Sequence, residues 1–161
     1  MSSTTLTRET TRATEPNRPA TGPAIQVQPY LFFGGKCETA LDYYRRVLGA
    51  EVTMLMRFKD SPEAGSCGAA TGDMVMHASF RIGETTILAS DGCGEGQPKF
   101  EGFSLSLTQP DAAAAERVFA ALADGGKVQQ PLVQTFFASR FGMVEDRFGV
   151  GWMIIVPTPQ A

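Results

Sequence analysis

Histidine is almost missing from this chain: His77 is the one imidazole among 161 residues. Any imidazole acid–base chemistry therefore falls to that side chain alone. Charge is also scarce, at 19% with a net of −3 and no basic stripe, which excludes nucleic acid as an expected partner. No apolar run approaches the length of a membrane span, and the first residues lack the apolar core of a secretory signal. No membrane association is expected. The three cysteines, Cys37, Cys67 and Cys93, form no C-x-x-C pair. An odd, widely spaced set without a secretion signal fits free thiols in the cytoplasm and speaks against a thiolate metal site. A Gly-rich loop with a later acidic residue, the cradle for a nucleotide-like cofactor, is missing too. Gly34-Gly35 does precede a helix but reads as a turn, and no cofactor is expected.

What remains is an ordinary soluble composition, 43% apolar, long enough for one domain with a real core. Residues 1–24 are rich in Thr, Pro and Arg, with almost no large apolar side chains, and read as a disordered tail. Residues 25–161 then form the domain, and within it one pattern occurs twice. Gly49-Ala50-Glu51-Val52 aligns with Gly125-Gly126-Lys127-Val128, and the hairpin around Ile82-Gly83 aligns with that around Phe148-Gly149. Each copy gives a strand, an amphipathic helix, a glycine turn and three more strands, in modules at 27–91 and 102–157 joined by a Gly-rich linker, 92–101.

In the first copy, strands are predicted at 27–33, 50–58, 74–82 and 85–90. The helix over 37–48 carries the stripe Ala40, Leu41, Tyr44, Val47, Leu48 and stops at Gly49. In the second, Asp111 caps a helix running to Ala123, with strands at 103–108, 127–133, 139–145 and 151–156. Strand alternation gives each sheet an apolar face and a mixed one. Leu31 and Phe33 oppose Gln28, Tyr30 and Phe32. Met74, Met76, Ala78, Phe80 and Ile82 oppose Val75, His77, Ser79 and Arg81. Leu105 and Leu107 oppose Ser104, Ser106 and Thr108. Helices are expected on the apolar faces, and a mixed concave face suits a small-molecule cavity. Trp152 is predicted to be core, with Met153 on the mixed face.

The segments PYLFFGGKCETALDYYRRVLGAE, VMHASFRIGETTILASDG, FSLSLTQPDAAAAERVFAALADGGKV and FASRFGMVEDRFGVGWM, taken in order, resemble the vicinal oxygen chelate superfamily of glyoxalases, bleomycin-binding proteins and extradiol dioxygenases. The nearer resemblance is to its PhnB-like branch, often labelled after a 3-demethylubiquinone methyltransferase. The resemblance implies an α+β fold in which two βαβββ modules form a curved mixed sheet around a cavity. It also implies a homodimer, often with each cavity built from modules of two chains. In metal-using members four ligands come from strands one, four, five and eight. Those positions here hold Gln28, Ile87 (or Leu88 with a one-residue slip), Ser104 and Met153. One amide among an aliphatic, a hydroxyl and a thioether is a poor set for a divalent ion, so no conventional metal is expected.

His77 is the candidate catalytic residue, with Gln28, Tyr30, Phe32, His77, Ser79, Ser104, Ser106 and Met153 as candidate ligand contacts. A histidine that only fixes a neighbouring strand is the alternative. Asp91 is a turn former before Gly92 or a carboxylate at the cavity mouth. For Arg140 and Asp146-Arg147 the preferred reading is a buried Arg–Asp pair tying the last hairpin, with anion binding by Arg140 as the other. A triad of Ser79 or Ser104 with His77 and Asp91 lacks the nucleophile-elbow pattern. The loop 59–73 either covers the cavity or is plain surface. Three functions stay open: a metal-free binder of a small, partly apolar molecule; a lyase, isomerase or oxygenase with a displaced metal held through Gln28 and His77; and a dimeric scaffold without ligand.

Overall fold

A computed structural model of the protein describes residues 25–62, 72–94 and 96–158. The 1–24 tail, Cys67 and most of the 59–73 loop lie outside the described residues. The first module runs β1 (Tyr30–Phe32), α1 (Cys37–Leu48), β2 (Glu51–Arg57), a single 3₁₀ turn at Phe58–Asp60, β3 (Val75–Ile82) and β4 (Thr85–Ser90). The second runs β5 (Leu105–Thr108), α2 (Ala112–Ala123), β6 (Lys127–Val133), β7 (Ala138–Glu145) and β8 (Gly151–Pro157).

The helix over 37–48 forms as its stripe predicts, burying Ala40, Leu41 and Tyr44 and ending on Gly49 at φ +64°. The Asp111 carboxylate caps α2, accepting from the Ala114 N–H at 2.8 Å. At Gly126, just past that helix, a Cβ would run into the Glu145 carbonyl, so the second module's turn needs glycine for space. β1 is shorter than the predicted 27–33. Val27 is exposed, and pairing with the neighbouring strand starts only where the Leu88 N–H reaches the Pro29 carbonyl.

Both modules make a four-stranded sheet of the same topology, β1-β4-β3-β2 in sheet one and β5-β8-β7-β6 in sheet two. In each, the module's first strand runs parallel to its last, and the other pairs are antiparallel. The sheets are not closed on one another. The likeness between modules extends to an irregularity. Pairing of β2 with β3 slips between Val52 and Met54, and pairing of β6 with β7 slips between Val128 and Gln130. Val52 and Val128 close the aligned quartets, so the bulge follows at the same place in both copies. β2 and β6 each form one edge of their sheet, with β1 and β5 at the opposite edges, and β6 carries Pro131 within a second slip, between Gln130 and Val133.

One core serves both modules. It joins Leu31, Phe33, Leu41, Tyr44, Phe80 and Ile87 to Leu122, Val144, Trp152 and Ile154. Tyr44 is its centre, stacked on Phe80 at 5.8 Å and edge-on to Trp152 at 5.6 Å. The adjacent Tyr43 donates to the Ala121 carbonyl of α2 at 2.9 Å. Both helices and the apolar face of each sheet thus enter the shared core, and the other face of each sheet, its open face, is turned away from it. Cys93 is bonded in a disulfide, which corrects the expectation of three free thiols. Cys37 is free and buried.

Candidate functional site

The open face of sheet one is built by register. Tyr30 lies beside Leu88 and Phe32 beside Ser90; Leu88 lies beside Ser79, Ser79 beside Met54, and His77 beside Met56. Alternation along β1 leaves Leu31 and Phe33 each 1% exposed, against 39% for Tyr30 and 52% for Phe32. Ile87 is in the core, so the face holds Leu88 at the fourth-strand position.

The Tyr30 hydroxyl and His77 Nδ1 are 2.8 Å apart. The phenol ring is stacked on Phe32, with centroids 5.0 Å apart, and tilted against the imidazole at 5.5 Å. Burial raises the phenol pKa above its usual value, and the neighbouring Ser90 hydroxyl works against that rise. Ser90 Oγ in turn accepts from the Gly92 N–H at 2.7 Å. Ser79 is tied to β2 instead, its hydroxyl 3.1 Å from that of Thr53.

Sheet two carries the other candidates. Ser106 pairs with Met153, and Met153 with Met143, on its open face. Ser104 and Met153 line an open pocket of about 460 Å³ with Phe103, Gln129 and Glu145. Trp152 is 2% exposed in the core, as its parity predicts. The predicted contacts therefore form two groups. Tyr30, Phe32, His77 and Ser79 stand on sheet one, with Gln28 just ahead of β1, while Ser106 and Met153 stand on sheet two, with Ser104 just ahead of β5. The two groups thus stand on separate sheets. Among the described residues no three of His, Cys, Asp and Glu converge in a way that could hold a metal ion.

Two buried carboxylates take roles the sequence did not disclose. Asp91 is neither a plain turn former nor a mouth carboxylate. Its Oδ1 accepts from the Gly35 and Cys37 N–H groups at 2.8 and 2.7 Å, and its Oδ2 accepts from the Val75 N–H at 2.7 Å. It thus ties the start of α1 to β3, and its involvement there leaves no support for a triad with His77. Asp146 is not paired with arginine, which corrects the preferred Arg–Asp reading. Its Oδ2 accepts from the Tyr44 hydroxyl at 2.7 Å and the Trp152 indole at 2.9 Å, and its Oδ1 from the Phe148 and Val150 N–H groups. Burial raises the Asp146 pKa, opposed by those hydrogen bonds. Arg147 instead pairs with Asp124 at 2.7 Å and lies over the Tyr43 ring, and Arg140 faces Glu116 at 3.7 Å.

Two βαβββ modules with mixed open faces have counterparts among known proteins. Residues 25–155 match the family model described as 3-demethylubiquinone-9 3-methyltransferase. The chain belongs to this PhnB-like family. It is 35% identical over 144 residues to Protein YjdN of Escherichia coli (strain K12), covering 84% of this chain and 98% of that protein. The crystal structure of protein PA1353 from Pseudomonas aeruginosa is 42% identical with a TM-score of 0.73, over 83% of this chain and 98% of that one. At 12% identity and a TM-score of 0.58, a glyoxylase/bleomycin resistance protein/dioxygenase domain from Frankia sp. EAN1pec shares the fold, over 86% of this chain and 96% of the domain. The family thus has the glyoxalase/bleomycin resistance architecture. Its description names a methyl transfer, but that label assigns no residue here.

Proposed function

We propose that this PhnB-like chain binds a small, partly apolar molecule, without the usual metal centre, between the open face of sheet one in one copy and that of sheet two in a second copy. The observation that carries the reading is the exposure of apolar side chains on faces turned away from the common core. Met54 and Met56, at 40% and 38%, stand with Tyr30 and Phe32 on sheet one. Beyond sheet two's β6 the turn before β7 presents Phe136 at 98%. Monomeric proteins rarely leave such surface contiguous and bare. A second copy covers it and supplies the other half of the contact set.

The metal-free part rests on donor chemistry. Gln28, Leu88, Ser104 and Met153 occupy the positions the superfamily uses for ligands. Leu88 has no donor atom, and a neutral hydroxyl and a thioether suit a divalent ion poorly. The set does not fit such an ion. A displaced metal held by Gln28 and His77 is disfavoured because these are only two donors, and among the described residues no group of three His, Cys, Asp and Glu converges to complete a site. A ligand-free scaffold leaves the Tyr30–His77 pair without a task.

Sedimentation at micromolar concentration is expected to give a dimer, and a thermal-shift panel of metabolites and antibiotics at least one stabilising compound, since a ligand that binds only the folded state raises stability. A monomer would refute the composite cavity. A dimer stabilised by nothing favours the scaffold. More than about half a metal per chain in protein purified without chelators, lost in a Gln28→Ala/His77→Ala variant, favours the metalloenzyme.

A further inference from the structure

We infer that the cavity on the open face of sheet two takes the positively charged end of its ligand, so that the bound molecule is an organic cation, an apolar body bearing an ammonium group. The inference rests on the reading that the open faces bind a small molecule, and it adds the charge of that molecule.

The cavity, about 460 Å³, is walled on one side by the stretch 100–104 that leads into β5 and on the other by Glu145 at the end of β7 and Met153 on β8. Its walls are fixed from behind. Phe100 packs against Phe33 of the shared core, with centroids 5.6 Å apart, and Phe103 stands edge-on to Phe100 at 6.4 Å. Phe103 is itself 45% exposed, so a ring held in place is presented at the cavity. At Gly151 a Cβ would stand 2.9 Å from Ser104 Oγ, and the missing side chain lets the serine sit against β8.

The charge of the lining has one sign. Glu101 and Glu145 face the cavity, and no lysine or arginine lines it. Among the described residues the ion pairs include neither glutamate. The Gln129 amide reaches Glu145 at 3.4 Å, a long contact that leaves acceptor capacity on the carboxylate. Lys127 is the register neighbour of Glu145 on β6 but forms no ion pair with it. Sheet one of a second copy brings no spare guanidinium either, since Arg57 and Arg81 are matched by Glu38 and Glu51 at 2.6 Å each. Two like charges at one opening attract a cation and repel an anion. The set lacks the third ligand of a metal site, while a ring and a thioether beside carboxylates suit an ammonium carried on carbon.

Three probes share a phenyl ring and differ in charge: phenethylamine, 2-phenylethanol and phenylacetate. In NMR titrations of the full-length protein the amine is expected to bind about tenfold more tightly than the alcohol, as a hydrogen bond to a charged group provides, and phenylacetate to bind weakest. Added salt should shrink the advantage of the amine, because the cavity is open to solvent. Glu101→Gln and Glu145→Gln keep the shape of each side chain. Each is expected to weaken the amine about fivefold and leave the alcohol unchanged, with thermal melts checking that the variants fold. Equal binding of amine and alcohol, tightest binding of phenylacetate, or an amine preference that survives in the Glu101→Gln/Glu145→Gln double variant overturns the inference. Loss of the dimer in that folded double variant overturns it too, since the partner chain would then supply the cation. So does binding of none of the three probes. If the wider panel then still finds a stabilising ligand, the binding reading survives and only the charge assignment falls; if it finds none, both fall.

Discussion

Asp91 and Asp146 are both buried carboxylates, one in each module, and they are satisfied in opposite ways. All three donors to Asp91 are backbone amides of its own module, at Gly35, Cys37 and Val75. Asp146 takes two local amides but also the Trp152 indole and, from the other module, the Tyr44 hydroxyl. The first holds one module's helix and sheet together. The second fastens module to module. The repeated unit thus supplies the sheets twice, but its parts are joined by contacts that are not repeated.

The largest expected effect follows from removing the local anchor. Asp91→Ala strands three amides in a largely buried site, at about 1–3 kcal/mol each, so a loss of roughly 3–9 kcal/mol in urea unfolding is expected. A loss below about 1 kcal/mol would show the amides satisfied by water and erase the contrast. An intermediate effect is expected across the module seam. Tyr44→Phe keeps the ring packing and deletes one hydrogen bond to a carboxylate, for about 1.5–3 kcal/mol. Its sharper signature is coupling: Tyr44→Phe and Trp152→Phe share Asp146, so their costs should fail to add in a double-mutant cycle. Strict additivity would mean the seam is held by ring packing alone.

The smallest effect appears only in alkali and tests how closed the Asp91 site is. Burial, helped by the charges of Asp91 and Glu38, pushes the Cys37 thiol up from 9.0 to about 12. The folded state then binds this proton more tightly than the unfolded chain. The contribution is fully present below pH 9, and it is lost as pH rises through the window from 9 to 12. Cys37→Ala should flatten the fall in stability across that window, measured by urea midpoints at several alkaline pH values. An unchanged slope would mean the thiol titrates normally. Native Cys37 should also resist alkylation at pH 8, where the thiolate is suppressed.

Most of the scaffold could be read from the chain because its signals are local. The stripe from Ala40 to Leu48 and Gly49 after it fixed α1 to the residue, and the β6 span 127–133 was likewise found whole. β1 was drawn too long because Val27 and Gln28 look like strand residues but have no pairing partner beyond Pro29. The side chains on each face followed from alternation, and Tyr30 and His77 fell on the same face. Their bond did not, because it depends on the registers of β1 with β4 and of β4 with β3 together. The Asp91 and Asp146 contacts were out of reach for the same reason. Their donors lie as far as 56 and 102 positions away, and no spacing rule links such residues.

The repeated bulge on the outer strands bears on how copies can meet. An edge strand with intact pairing groups is a template for another chain. β2 and β6 are interrupted after Val52 and Val128, and β6 is broken again around Pro131, which has no N–H to offer. Neither edge can accept a long added strand. Growth of these sheets from chain to chain through β2 or β6, a route to fibres, is hindered by the architecture that the repeat copied, and the opposite edges, β1 and β5, are only 3 and 4 residues long. The proposed contact between copies therefore uses the faces, where side chains rather than backbone choose the partner.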